Sequence, residues 1–386
     1  MQIVWSLLAA AAFLSAQVPR QPFIFDGHVH AVDRVFYHGG DIAERKADGQ
    51  WDLSRAREGG LGAFFFSVYV PDEYYPARLE TKQALRVMDA ALTQIGKNRD
   101  QLELALNGAD IDRIRKAGKM AAVLDFEGSF DLDGDLGVLR TMYRLGLRSA
   151  QLSAHNTTSN FADSCCSPAK WHGINDRGRA WVREMNRLGM VINVSHSSDE
   201  AMAQTIELST DPVVATHHGL RSFNPIPRNM PDGLLKKLAA KGGVIGFQIG
   251  NEFHNRKLFD WRTEHAGKPF WDTAEIQKRG ASMTLEQVDA IAGPQFPMQG
   301  FKVPEELKFT VDDWVAVVDR AIELVGEDHV ALGTDFDGGP TLSKGMRDVR
   351  DLPMITAAMR RRGYSEQRIA KFMGGNLLRV FRQVAR

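Results

Sequence analysis

Eight short strand-like runs, separated by longer amphipathic stretches, constrain this chain more than any other feature. They occupy residues 23–29, 63–70, 120–126, 148–154, 190–195, 213–216, 243–249 and 330–333. Between most of them the apolar residues recur with helical spacing, at 77–106, 176–188, 199–208, 231–240 and 311–325. Asp176, Ser198 with Asp199, and Thr310 stand just before such a period and mark helix starts. Strands alternating with helices predict an α/β fold with a parallel sheet, and eight is the number that closes a (β/α)8 TIM-type barrel. The rival, an open doubly wound sheet, begins with a glycine-rich phosphate turn after its first strand. Asp26-Gly27-His28-Val29-His30 is not one.

The chain has 386 residues, room for one large domain or two ordinary ones. No linker-like stretch divides it, so a single domain over residues 18–386 is expected. Residues 156–174 read as a long loop after the fourth run. Residues 251–303 read as a long insertion before the last helix–strand unit, in the manner of a lid or interface element. Lys and Arg together number 48, as do Asp and Glu, which leaves no basic footprint for nucleic acid. Cys165 and Cys166 are neighbours, and adjacent cysteines bridge poorly, so two thiols in a solvated loop are expected. At the start, an apolar run over 3–14 is too short to span a bilayer but suits the core of a signal peptide. Residues 1–17 are therefore expected to be a leader. The protein is then periplasmic or secreted if the leader is cleaved, and cytoplasmic otherwise, with no transmembrane span in the mature chain.

The polar residues at the ends of the runs carry the chemistry. The first run ends in His28 and His30, the third in Asp125-Phe126-Glu127-Gly128, the fourth at His155 and the fifth at His196. The sixth ends in His217 and His218, and the eighth leads into Asp335 and Asp337. In a parallel barrel all these ends meet at one face, where active sites are built. Residues two apart on a strand point the same way, so His28 and His30 can reach one metal. Glu127 closes a buried strand, a costly place for a carboxylate that is neither paired nor ligating. Singly, each has a plainer reading: a hydrogen-bonded loop pair for His28 and His30, a salt bridge to an arginine for Glu127, a core residue for His196 and a helix cap for Asp335. Together, four histidines and two carboxylates at the ends of five strands point to zinc. Two zinc ions bridged by one carboxylate would use the set without remainder.

In this order the motifs resemble those of the membrane (renal-type) dipeptidases, zinc metallopeptidases of the amidohydrolase group. The matching segments are Asp26-Gly27-His28, Glu127-Gly128, His155 with the segment 156–163, Ser195-His196 and Thr216-His217. Arg228-Asn229 with Pro231-Asp232, Asp335-Phe336-Asp337-Gly338 and the tail over 375–381 complete the set. They span nearly the whole chain after the leader. The resemblance implies that His28 and His30 hold one zinc, Glu127 bridges the pair, and His196 with His217 hold the other. It makes Asp335 the catalytic acidic residue, His155 the histidine beside the scissile carbonyl, and Arg228 the substrate-binding arginine. His218 gains no such role and is expected to pack or hydrogen-bond. The sequence departs from the family pattern at His30, where an aspartate is usual. A neutral donor there leaves the site one unit more positive.

The reaction so implied is hydrolysis of small dipeptides, C-terminal D-residues included, by a homodimer with two Zn2+ per chain. Two other classes fit the same residues. One is a different metal-dependent amidohydrolase, acting on a lactone, another amide or a deamination substrate, for which Arg228 would be dispensable. The other is a non-catalytic metal-binding relative.

Overall fold

The computed structural model describes residues 21–128, 134–269, 272–278, 282–298 and 302–386. The expected leader, residues 1–17, lies outside the described residues. Nine strands form one parallel sheet: β1 Ile24–Val29, β2 Leu61–Tyr69, β3 Leu102–Leu104, β4 Met120–Glu127, β5 Leu147–Gln151, β6 Val191–Asn193, β7 Val214–His218, β8 Val244–Phe247 and β9 Val330–Leu332. Eight of them follow in the order β1-β2-β4-β5-β6-β7-β8-β9, and β3 pairs with β4 beside that path. The ends of the path meet just beyond β9. The Asp335 amide donates to the His28 carbonyl at 2.9 Å, and the His30 amide donates to that of Phe336 at 3.0 Å. All eight expected strands are present, and the architecture is a (β/α)8 TIM-type barrel.

The expected helices stand at Asp176–Leu188, Asp199–Leu208, Asp232–Ala240 and Val311–Val325. Ser198 and Thr310 cap theirs by accepting from the amides of Ala201 and Asp313. Asp176 is instead the first helical residue, and Asn175 is the cap. The helical stretch expected over 77–106 is shorter, ending as Glu80–Lys97. Beyond it the chain turns at Asn98, whose carbonyl accepts from Gln101, and pairs as β3.

Two apolar layers hold the barrel. One lies between strands and helices and takes the outward residues of the strands, such as Ala122, Leu124 and Phe126 of β4. The other fills the N-terminal half of the barrel with inward residues, among them Phe25, Phe65, Ala121, Val123, Val214 and Val244. The C-terminal helix Asn376–Val384 closes that end, and its Phe381 ring lies 6.3 Å from both Phe25 and Phe65. Strand alternation then dictates the upper half. On β4, Ala121, Val123, Asp125 and Glu127 share the inner face, so the apolar floor gives way to carboxylates. The interior is tight here: a Cβ on Gly27, Gly246 or Gly333 would fall 1.8–2.6 Å from the Thr216 carbonyl oxygen.

One expectation is corrected. Cys165 and Cys166 form a disulfide with each other. The loop is pinned at and just before them. The Cys165 amide donates to the His196 carbonyl, and the Ser164 hydroxyl to the His155 carbonyl. The tight turn so held brings the neighbouring sulfurs together.

Candidate active site

The C-terminal ends of the strands deliver His28, His30, Glu127, His155, His196, His217 and Asp335 to one buried cluster. Glu127 is its centre. One carboxylate oxygen faces His28 Nε2 at 2.8 Å and His30 Nε2 at 3.1 Å; the other faces His196 Nε2 at 3.0 Å and His217 Nε2 at 3.1 Å. Asp335 Oδ1 joins the first pair, 3.2 Å from His30 Nε2. The facing nitrogens are themselves close, 3.3 Å between His28 and His30 and 3.1 Å between His196 and His217. His30 spends its Nδ1–H on Asp33, so its neutral ring turns a lone pair on Nε2 inward, as a donor atom converging on a cation would be placed. Three overlapping groups each bring their ligand atoms within 4.8 Å: His28, Glu127 and His217; His28, His30 and Asp335; and Glu127, His155 and His196. They are candidate metal-binding clusters, and their imidazole and carboxylate donors fit a divalent transition metal.

Behind three of the four imidazoles stands a second contact that fixes the ring, and a carboxylate lies near the fourth. His30 Nδ1 lies 2.9 Å from Asp33, His217 Nδ1 2.9 Å from the Thr216 hydroxyl, and His196 Nδ1 3.3 Å from Asn156 Oδ1. His28 Nδ1 is 3.6 Å from Asp125, whose carboxylate accepts from Asn193 Nδ2. These partners, rather than the facing nitrogens, set the ring orientations.

The cluster is built for positive charge. Burial opposes ionisation of Glu127, yet the charges of His28 and His217 and the His196 contact hold its carboxyl well below the usual range. Burial likewise opposes charge on His28, but Glu127 and Asp125 lift it to about 9. His30 is lifted well above the ordinary value against burial by Asp33, Asp335 and Glu127. On the other side burial dominates. It lowers His217 to about 3 with help from His28, and His196 well below its ordinary value with help from Arg228 and His155.

Above the cluster is a cavity of about 150 Å³ into which His155, Arg228, Gln248 and Met298 also face. His155 is anchored through Nδ1 to Asp72 Oδ2 at 2.8 Å. Arg228 is fully buried. One of its nitrogens donates to the His217 carbonyl at 2.9 Å, while Nε and Nη1 have no hydrogen-bond partner among the described residues. Burial lowers its guanidinium to about 10, so it stays charged at neutral pH. Gln248 Nε2 donates to Asp335 Oδ2 at 2.9 Å. His155, His196 and Asp335 all adopt left-handed backbone, with φ of 47°, 65° and 63°. Strained positions of this kind cluster at functional sites.

Every site residue expected from the sequence lies in this cluster or its cavity. Asp337 turns away, accepting from the Gln50 amide, and burial raises its carboxyl to about 6. His218 packs in the interior, as one arm of the expectation had it, and neither of its ring nitrogens has a hydrogen-bond partner among the described residues. Residues not foreseen are Asp33, Asp72, Gln248, Glu252, Arg262 and Met298. The last three come from the insertion, which folds over the mouth as the helices Arg256–Ala266, Ala274–Lys278 and Leu285–Ala292. Asp33 carried a usable signal, lying three residues beyond a candidate ligand. Asp125, two residues before Glu127 on the same strand face, carried the same kind of signal.

A family model described as membrane dipeptidase (peptidase family M19) matches residues 15–386. The chain is 32% identical over 364 residues to Dipeptidase tcpJ of Claviceps purpurea, covering 92% of this chain and 72% of that one. It is 30% identical over 343 residues to Dipeptidase verJ of Clonostachys rogersoniana, covering 86% and 75%. Among solved structures, a metallopeptidase from Rhodobacter sphaeroides liganded with a phosphinate mimic of the dipeptide L-Ala-D-Ala shares the fold. It has a TM-score of 0.74 and 24% identity, covering 94% of this chain and 100% of that one.

Proposed function

The chain belongs to the membrane dipeptidase family, peptidase family M19, and is a metal-dependent dipeptidase; from that premise we propose that it hydrolyses small dipeptides, C-terminal D-residues included, with two zinc ions bridged by Glu127. The observation that carries the proposal is the division of Glu127, one oxygen toward His28 and His30 and the other toward His196 and His217. Those four histidines complete the ligand set, a donor mixture suited to zinc. Bound there, zinc supplies Lewis acidity, which polarises a carbonyl and makes water a nucleophile near neutral pH.

The chain's own residues do the rest. Asp335, steadied by Gln248, takes the proton of the attacking water and later delivers it to the leaving amine. His155 uses Nδ1 on Asp72, which leaves Nε2 for the substrate. From Nε2 it would stabilise the oxyanion developing at the attacked carbonyl. Arg228 keeps buried charge and unpartnered donors, Nη1 among them, for the free C-terminal carboxylate. Fixing a carboxylate one residue past the scissile bond selects dipeptides. The phosphinate mimic of L-Ala-D-Ala bound by the Rhodobacter enzyme, which shares the fold, supports a C-terminal D-residue here.

The test is turnover of a panel of L-L and L-D dipeptides, tripeptides and C-terminal amides. Free dipeptides of both kinds should be cleaved; tripeptides or amides cleaved as fast would contradict the proposal. On the same footing we propose a cleaved leader over residues 1–17, a single catalytic domain over 18–386, export and a homodimer. A disulfide at Cys165–Cys166 suits an oxidising compartment. N-terminal sequencing of the secreted form and native mass spectrometry test the leader and the dimer.

A further inference from the structure

Asp33 is a carboxylate in an expensive place. Its residue is 1% exposed, at the first position of the short helix Asp33–His38. Oδ2 lies 2.9 Å from His30 Nδ1, and Oδ1 is buried with no hydrogen-bond partner among the described residues. It makes no helix cap, since the residue before the helix is Val32 and no side chain caps it. The neighbouring Arg34 is turned to Asp48 instead. A buried carboxylate with one partner and an idle oxygen persists where something nearby needs its charge.

The charge count says what needs it. Two divalent ions bring four positive charges, and Glu127 with Asp335 return two. The four imidazoles are neutral when they ligate, so two positive charges remain in a buried pocket. Two further carboxylates stand directly behind ligating rings, Asp33 behind His30 at 2.9 Å and Asp125 behind His28 at 3.6 Å. Asp33 is the closer. Asp125 also spends an oxygen on Asn193.

We propose that Asp33 is a positioning residue that acts through His30, holding its Nδ1 proton so that Nε2 faces the metal and adding negative charge behind the ligand of the His30-side zinc. This rests on the reading that His28 and His30 hold one of two zinc ions. Removing the charge while keeping the shape should therefore weaken one zinc and spare the other.

The experiment is zinc titration of metal-free wild type, Asp33→Asn and Asp33→Ala against a competing chelator, with far-ultraviolet circular dichroism to establish folding. In Asp33→Asn one site should weaken by about 10–100-fold, the range for partners behind a ligand, and the other should stay within about twofold. Asp33→Ala should lose at least as much. An amide oxygen can still accept from Nδ1–H. Wild-type affinity in Asp33→Asn would therefore mean that orientation alone matters, and would overturn the charge assignment. Equal weakening at both sites would overturn it too, as a general structural effect. If Asp33→Asn fails to fold, Asp33→Ser, smaller and uncharged, carries the same expectation. A wild type that binds no zinc removes the underlying reading, and this inference with it, while two wild-type sites with an unaffected Asp33→Asn sink this inference alone.

Discussion

Replacing Arg228 by methionine keeps a long apolar side chain and removes the charge. In the structure the guanidinium is fully buried, spends one donor on the His217 carbonyl and keeps unpartnered donors, Nη1 among them, for a substrate carboxylate. Truncating one partner of a buried, hydrogen-bonded charge pair costs about 2–5 kcal/mol. At 1.36 kcal/mol per decade that is a loss of about 30- to 5,000-fold in kcat/KM for a free dipeptide. The assay compares each dipeptide with its C-terminal amide on both proteins. Wild type should penalise the amide by a factor in the same range. Arg228→Met should lose activity on the free acid and treat acid and amide nearly alike. If Arg228→Met keeps the wild-type preference for the acid, the residue does not read that carboxylate. If acid and amide fall by the same large factor, its role is structural.

Asp335→Asn should lower kcat by about 10²–10⁴-fold with a smaller change in KM, because an amide cannot carry the proton between water and amine; steady-state kinetics on one good dipeptide decides this. His155→Gln should cost about 10²–10³-fold in kcat, and Asp72→Asn should move the same parameter in the same direction by less. His254 gives a stability prediction away from the metal cluster. Burial lowers its pKa from 6.5 to about 4, and Nε2 lies 2.6 Å from the Gln248 carbonyl. The unfolded chain therefore takes the proton first: the contribution is complete above pH 6.5 and is lost as pH falls toward 4. It amounts to about 3 kcal/mol across that window. Urea unfolding of His254→Gln at pH 7 and pH 4.5 should show a shallower pH dependence than wild type, and an unchanged slope would refute the assignment. Chelation should abolish hydrolysis and lower Tm, with zinc restoring both, since a ligand that binds only the folded chain stabilises it by mass action.

Much of the site was legible because of one geometric fact. In a parallel barrel every strand ends on the same face, so polar residues closing separate apolar runs are neighbours however distant in sequence. His28, Glu127, His196 and Asp335 could be grouped on that ground alone. The strand alternation that turns Asp125 and Glu127 inward was equally local. What was not legible depends on contacts without a local period. The insertion reaches the mouth through Arg86 and Tyr74, both of which meet Asp289, more than two hundred residues away. Nothing in the spacing of 251–303 announces that. β3 is three residues long and was absorbed into the helical pattern before it. The Cys165–Cys166 bond depends on a loop turn held by the carbonyls of His155 and His196, which only the folded barrel provides.

The central claim is a two-metal site organised by Glu127, and the most direct measurement is metal content with dipeptide turnover on wild type and Glu127→Gln. The account predicts about two zinc ions per wild-type chain, and in Glu127→Gln loss of at least one together with hydrolysis, because an amide cannot bridge two cations as a carboxylate does. Two zinc ions retained by Glu127→Gln with turnover unchanged would contradict it, and so would an active wild type that carries no metal.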